Sequence, residues 1–296
     1  MKDLIKGGYD LHVHSGPDIL PRRMDDCEMA QRIIDSGMAG YAIKNHYTST
    51  AYRADIVNKM FPGCDAVGGI VLNNSVGGIN AIAVEMAARA GNKIVWMPTT
   101  DSAHEQELVF GGGHEKGKLP YWATLVLKMR EEGVQFKKLS VLDEAGQLTK
   151  EACDVLDVIA KYDIILESGH LSQAEVMVLV KEAAARGVKR IIITHADYPG
   201  TYYTIDQQKE LVNYGAYIEH CYTTWKTGKV EFSEVVEQIR TIGVAHCTLG
   251  TDLGRKDYIY PDEGLLEFCE ELCKAGISDT DVRKMIVDNP IWLLNK

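Results

Sequence analysis

The chain alternates short apolar, β-rich runs with segments whose apolar residues recur at helical spacing. This alternation is typical of parallel strands joined by crossover helices. Eight such units in 296 residues predict a single α/β domain over residues 1–296, a (β/α)8 TIM barrel rather than a doubly wound sheet. We expect the strands near residues 9–13, 40–45, 66–72, 93–98, 163–167, 189–194, 216–220 and 245–250.

Two of the intervening helices carry recognisable N-terminal signals. Ser172 and Glu175 have the spacing of a capping box, and Gly187 is suited to end the helix that they begin. Ser278 and Asp281 predict a similar helix start near the carboxyl end of the chain.

The segment from about residue 99 to residue 150 is longer than a simple crossover. It contains a helix-like stretch over 120–130 and a strand-like piece over 138–142. We interpret it as an insertion after the fourth strand that covers the mouth of the barrel. The strand-like piece is alternatively a barrel strand.

The composition favours a small-molecule partner. The chain is 46% hydrophobic and 25% charged, which is typical of a globular domain with a sizeable core. Its net charge of -10 argues against nucleic acid or an anionic membrane as the main partner. No apolar run approaches the roughly 20 residues of a spanning helix, and the first residues do not resemble a signal peptide. We therefore expect a cytoplasmic protein, with a homo-oligomer as a plausible state.

The seven cysteines are odd in number, and most lie in apolar stretches where a reduced thiol packs as a small core residue. Cys269 and Cys273 have a spacing that also suits a metal ion. Since nothing nearby completes four ligands, we predict core packing for them.

His12 and His14 lie at the end of the first predicted strand, where alternate residues point to one face. In a TIM barrel, functional groups collect at the carboxyl ends of the strands. Each histidine alone could be a hydrogen-bonded rim residue, but together with an aspartate they suit one or two divalent ions, first zinc and then manganese or iron. The candidate ligands at five strand ends are His12, His14, Lys44, His46, His170, His195 and Asp252.

These motifs resemble the amidohydrolase superfamily of metal-dependent TIM-barrel hydrolases, and the stretches 169–172 and 194–197 look like an uncharacterised branch related to it. The resemblance covers nearly the whole chain. It implies that one ion is held by His12, His14 and Asp252, and a second by His170 and His195. The resembling parts are residues 10–14, His170, His195, Asp252 and residues 288–294.

One element of the superfamily pattern is missing. The resemblance implies a bridging, carboxylated lysine on strand 4, but that strand ends without a lysine, and Lys93 lies at its other end. Lys44 as a carbamate, or His46 as a direct ligand, could substitute. Lys44 could equally bind a substrate anion or form an ion pair, and Glu167 is a further candidate bridge. The number of metal ions therefore stays open.

The implied reaction is hydrolysis. A bound metal lowers the pKa of water from about 15.7 towards 7 and polarises a carbonyl oxygen, and Asp252 is the candidate general base. The expected bond is the C–N or C–O bond of an amide, cyclic amide, lactone or ester. Candidate substrate-binding residues from the rim loops are Asp18, Arg22, His104 and Arg255, of which Arg255 best suits a carboxylate or phosphate.

Three other functions fit parts of the pattern. Residues 10–15 and 42–46 also resemble the first two motifs of PHP-type phosphoesterases, although that family usually has Asp-His where this chain has Asn45-His46 and Asp252-Leu253. A di-iron oxygenase could use the same ligands. A non-catalytic, metal-stabilised binding barrel would bind metal without turnover.

Overall fold

The computed structural model describes residues 2–111 and 119–296, and its eight strands form one parallel sheet in chain order. Backbone hydrogen bonds from Asp252 N to His12 O and from His14 N to Leu253 O join the last strand to the first. The sheet is therefore a closed (β/α)8 TIM barrel, as the sequence predicts. The strands are β1 Tyr9–Val13, β2 Gly40–Ile43, β3 Asp65–Val71, β4 Ile94–Trp96, β5 Ile165–Glu167, β6 Ile191–Ile193, β7 Ala216–Cys221 and β8 Cys247–Gly250.

Helices surround the barrel. The α-helices are α1 Asp26–Ser36, α2 Ala51–Met60, α3 Ala81–Arg89, α4 Ala103–Phe110, α5 Tyr121–Glu131, α6 Lys150–Tyr162, α7 Gln173–Ala185, α8 Ile205–Asn213, α9 Tyr222–Lys226, α10 Phe232–Ile242, α11 Pro261–Lys274, α12 Asp279–Arg283 and α13 Asn289–Leu293. A π-helical turn over Lys284–Asp288 joins the last two, and 3-10 turns occur at Lys2–Ile5, Asn74–Val76 and Val244–His246. Within the described residues, no helix has the length and apolar character needed to cross a membrane.

Strand alternation divides the apolar core into two layers. Ile94 and Trp96 of β4 belong to the cluster inside the barrel, whereas Val95 between them packs in the layer between strands and helices. Leu293 and Leu294 join the inner cluster, so that α13 closes the end of the barrel opposite the site. Because both faces of each strand are buried, the strands are the near-continuous apolar runs that the sequence shows.

The predicted helix starts are confirmed. Ser172 and Glu175 form a complete capping box at α7, in which each side chain bonds to the other residue's backbone. Ser278 accepts a hydrogen bond from Asp281 N at the start of α12. Gly187 lies just beyond α7 with a φ of 84°, a left-handed conformation that glycine adopts readily.

The insertion between β4 and β5 contains α4 and α5, and α6 is the crossover helix that leads into β5. The strand-like piece over 138–142 is not a barrel strand. Leu139 and Leu142 form only isolated bridges, to Ser102 and Leu148, beside α4 and in the turn before α6. All seven cysteines are free, and Cys27 is the exposed one among them.

Candidate metal centre and cavity

The strand that carries the two leading histidines contains a bulge. Its pairing with β2 shifts between Asp10 and Val13. The buried Asp10 carboxylate accepts hydrogen bonds from His12 N at 3.0 Å and from both the backbone N and the hydroxyl of Thr251. It thereby satisfies backbone groups that the irregular ladder leaves unpaired. Burial raises the pKa of Asp10 to about 7 despite these bonds.

His12, His14 and Asp252 converge above this bulge. Oδ1 of Asp252 lies 3.1 Å from Nε2 of His12 and 3.2 Å from Nε2 of His14. Thr223 donates a hydrogen bond to the other carboxylate oxygen at 3.1 Å. Asp252 has a φ of 53°, a strained value for a residue with a side chain, and such strain is concentrated at functional sites.

Glu219 orients His12 from below. Its carboxylate, buried on β7, lies 3.1 and 3.2 Å from Nδ1 of His12 and accepts a hydrogen bond from His195 N. With a proton on Nδ1, the lone pair of Nε2 of His12 would be available to a metal ion. We did not predict Glu219 from the sequence. The available signal was a carboxylate at an alternate position of an apolar strand, where side chains point into the barrel.

Lys44 and His46 project from the end of β2 towards the same centre. The Lys44 ammonium group is buried and lies 2.8 Å from Nε2 of His12. His46 stacks on His14 with ring centroids 4.9 Å apart, and its Nδ1 lies 2.8 Å from the Thr99 hydroxyl. The buried lysine at this centre therefore comes from the end of β2.

His170 and His195 form the second half of the cluster. Their Nε2 atoms are 3.2 Å apart, and the His195 and His12 rings have centroids 6.0 Å apart. Glu105 of α4 lies 3.5 Å from Nδ1 of His170. Sequence reasoning also missed Glu105, since nothing in the chain reveals that α4 reaches this histidine.

The electrostatics of the cluster suit a cation. Burial, aided by Arg22, lowers the pKa of His14 to about 3, and burial lowers the pKa values of His46 and His195 well below their usual range. Burial opposes ionisation of Asp252, but His12 and His14 hold its pKa well below the ordinary value.

Burial and Lys44 oppose protonation of His12. Glu219 and Asp252 nevertheless raise the pKa of His12 to about 10, so a metal ion would have to displace a proton from this ring. The imidazoles of His14, His46 and His195 are neutral beside an ionised carboxylate, which is the donor form that divalent metals bind, so the set fits a metal ion.

A cavity of about 530 Å³ opens over the cluster. Its lining includes His14, Lys44, His46, His170, His195 and Asp252, with Leu119, Pro120 and Trp122 from the insertion. The described part of the insertion thus lines one side of the cavity. His114, a further histidine of the insertion that the sequence offers as a residue able to close over a ligand, lies outside the described residues.

The four predicted substrate-binding residues occupy different positions. Arg22 and Arg255 line the cavity. Asp18 is instead the ion-pair partner of Arg22, at 2.5 Å. Nε2 of His104 lies 2.6 Å from the Gly200 carbonyl oxygen, and this histidine is not part of the cavity lining.

The solved structures with similar folds include the following three. An amidohydrolase from Pseudomonas aeruginosa has a TM-score of 0.66 at 10% identity, covering 99% of this chain and 97% of its own. The probable dipeptidase PvdM from Pseudomonas aeruginosa has a TM-score of 0.62 at 12% identity, covering 99% and 95%. YJJV, a TATD homolog from Escherichia coli K12, has a TM-score of 0.58 at 13% identity, covering 99% of both chains. At these identities the likeness establishes a shared fold.

Sequence comparison gives a narrower result. No curated protein matches the chain. One family model, described as a family of unknown function (DUF6282), matches residues 7–219, a range that includes β1 to β7 up to Glu219. The chain therefore belongs to the DUF6282 family, with the barrel fold of the amidohydrolases.

Proposed function

We propose that the protein is a metal-dependent hydrolase that cleaves a C–N or C–O bond of a small amide, cyclic amide, lactone or ester. The observation that carries this proposal is the convergence of two imidazole nitrogens on one carboxylate oxygen, 3.1 and 3.2 Å away, at the floor of a covered cavity. Convergent polar groups in a pocket at the carboxyl ends of barrel strands are the usual form of a TIM-barrel active site.

His12, His14 and Asp252 would hold the first ion, since their ligand atoms all lie within 4.8 Å of one another. His170 and His195 would hold a second ion, with Lys44 and His46 beside both positions. Zinc is our first choice, and manganese or iron is the alternative. When bound, such an ion polarises a carbonyl oxygen and makes a water molecule acidic enough to attack at neutral pH.

The chain's own groups supply the proton transfers. Asp252 is ionised, so its carboxylate can accept a proton from the attacking water and pass it to the departing nitrogen or oxygen. The Thr223 hydroxyl fixes one oxygen of this carboxylate, and Glu219 fixes the ring of His12. Leu119, Pro120 and Trp122 of the insertion supply apolar surface to the wall of the same cavity.

The test combines metal analysis with a substrate screen. We expect Asp252→Asn to keep the fold and lose hydrolysis of small esters, lactones and amides by about 10²–10⁴-fold, the range of general-base catalysis. We expect the double variant His12→Ala, His14→Ala to lose metal per chain. His246→Ala, in the 3-10 turn before β8, is the matched control and should retain both properties. Full activity in Asp252→Asn would remove Asp252 from catalysis, and unchanged metal in the double variant would refute the site.

A further inference from the structure

The loops after β1 and β8 pair with each other at the rim of the cavity, and each loop carries one arginine that lines it. Arg22, in the loop after β1, and Arg255, in the loop after β8, form an antiparallel bridge, and Arg23 N donates to Gly254 O at 2.8 Å. A Cβ at Gly254 would lie 1.9 Å from His14 O, so this close approach requires glycine. Side chains at directly opposed bridge positions lie on one side, with Cβ atoms about 5 Å apart.

Like charges placed in this way repel each other, so a fold does not gain stability from the pair itself. Each arginine instead has its own carboxylate partner. Asp18, whose side chain is fully buried, accepts from Nε of Arg22 at 2.6 Å and lies 2.5 Å from its Nη2. Asp257 accepts from Nε and Nη2 of Arg255 at 3.2 and 2.8 Å. Each aspartate contacts the Nε and Nη2 atoms of its arginine. These contacts hold the plane of each guanidinium group in one orientation.

The arginine pair adjoins the proposed metal centre. Nη2 of Arg22 lies 3.4 Å from Nδ1 of His14, and both arginines line the cavity. Lys229 also lines it, with its ammonium group 4.6 Å from the centre of the Tyr198 ring. A protein with a net charge of -10 thus concentrates cationic groups around this one opening.

The rest of the cavity wall combines apolar and aromatic side chains with Glu105 and four threonines, Thr124, Thr223, Thr224 and Thr227. Leu20 lies on the side of the β1 loop, Trp122 on the insertion, and Tyr258 beside Arg255, with the Arg255 guanidinium 4.8 Å from the centre of the Tyr258 ring. A ligand that contacts both the arginines and these apolar side chains has an anionic end and an apolar or aromatic part in its body.

We propose that Arg22 and Arg255 form a carboxylate-binding subsite, and that the substrate is a small carboxylate with an apolar or aromatic body. This inference rests on the proposed function for its reaction, because the bond to be cleaved must reach the histidine cluster while the carboxylate sits between the arginines. A carboxylate matches the site because a planar guanidinium group binds its two oxygens in parallel. A dianion such as a phosphate would need more positive charge, and Asp18 and Asp257 already offset much of the charge of the two arginines.

The test is a binding comparison on the purified protein. Calorimetric titration with phenylacetate and with its neutral isostere phenylacetamide should show at least tenfold tighter binding of the carboxylate. Arg255→Gln should reduce this preference severalfold. Arg22→Gln leaves the Asp18 carboxylate buried and unpaired, so the matching variant is Arg22→Gln with Asp18→Asn. Arg186→Gln, between α7 and β6 on the outside of the barrel, is the control and should keep the wild-type preference.

Three results would overturn the subsite: equal affinity for the two ligands, a preference that survives in the combined Arg22 and Arg255 variants, or tighter binding of benzylphosphonate than of phenylacetate. The subsite and the proposed function fail separately. A carboxylate preference with no hydrolysis of any ester, lactone or amide would leave the subsite and reject the hydrolase. The opposite result is hydrolysis with equal kcat/KM for N-acyl amino acids and for their amides, unchanged in the arginine variants. That result would support the hydrolase and reject the carboxylate subsite.

Discussion

At the scale of single residues, Glu167 shows how the barrel interior sets chemistry. It ends β5, its side chain is fully buried, and one oxygen accepts a hydrogen bond from the Thr194 hydroxyl at 3.0 Å. Its other oxygen has no hydrogen-bond partner among the described residues. Burial, together with the nearby Glu219 carboxylate, raises the pKa of Glu167 from 4.5 to about 8. At neutral pH this residue is therefore mainly a neutral carboxylic acid.

Glu167→Gln should change how stability depends on pH. Because the folded-state pKa lies above the ordinary value, the native protein holds a proton that the unfolded chain releases between pH 4.5 and about 8. This contribution is complete below pH 4.5 and is lost as the pH rises through 8. The variant lacks the titration, so between pH 5 and pH 9 it should gain about 4 kcal/mol relative to wild type.

The measurement is the free energy of unfolding in urea at pH 5, 7 and 9. Glu144→Gln, at an exposed position, is the control and should follow the wild-type pH profile. Parallel profiles for wild type and Glu167→Gln would show that the carboxyl group is not protonated in the native state.

Candidate ligands were predictable from the sequence where they follow or end a predicted strand. His12, His14, Lys44 and Asp252 each follow or end an apolar run, and the structure brings them together. Glu105 was not predictable, because its contact with His170 depends on how α4 lies across the barrel mouth. The supporting role of Asp10 depends on a strand bulge, which has no signature in one sequence. For Glu219 the sequence offers a carboxylate on an apolar strand, but its role also depends on the tautomer of His12, which the sequence does not reveal.

At the scale of elements, one residue links the insertion to the barrel. Glu175 completes the capping box of α7, and its other oxygen accepts hydrogen bonds from the hydroxyl of Ser140 and the backbone N of Val141. The cap is local and was readable as a four-residue pattern. The link to Ser140 and Val141 is long-range and has no such local pattern.

Ser172→Ala and Glu175→Ala should therefore differ in cost. Loss of the Ser172 hydroxyl removes one cap and should lower the free energy of unfolding by about 1 kcal/mol. Glu175→Ala should cost more, about 2–3 kcal/mol, since it leaves several buried donors unpaired. Ser172→Thr keeps the hydroxyl and serves as the control. The denaturation midpoints of the four proteins check the order, and equal losses for the two alanine variants would mean that the Glu175 link to the insertion contributes nothing.

At the scale of the whole molecule, the proposed ligands come from strands that are distant in sequence. β1, β2 and β8 supply one group, and the ends of β5 and β6 supply the other. A barrel brings all these ends to one rim, so the count of eight strands was enough to predict that the ligands meet. The shape of the cavity was not predictable, because it depends on the packing of the insertion and of the loops that carry Arg22 and Arg255.

This arrangement couples metal binding to global stability. An ion bound by groups from β1 and β8 ties together the first and last strands, and it binds only the folded barrel, because the unfolded chain does not assemble the donors. Free metal at 100 times its Kd should stabilise the protein by about 2.7 kcal/mol and raise Tm by several degrees. Chelation should reverse the shift. Scanning calorimetry with zinc, manganese and iron(II) should show the increase in wild type and in His246→Ala, but not in His12→Ala, His14→Ala. An equal increase in all three proteins would place the stabilising ion away from the β1 and β8 ends.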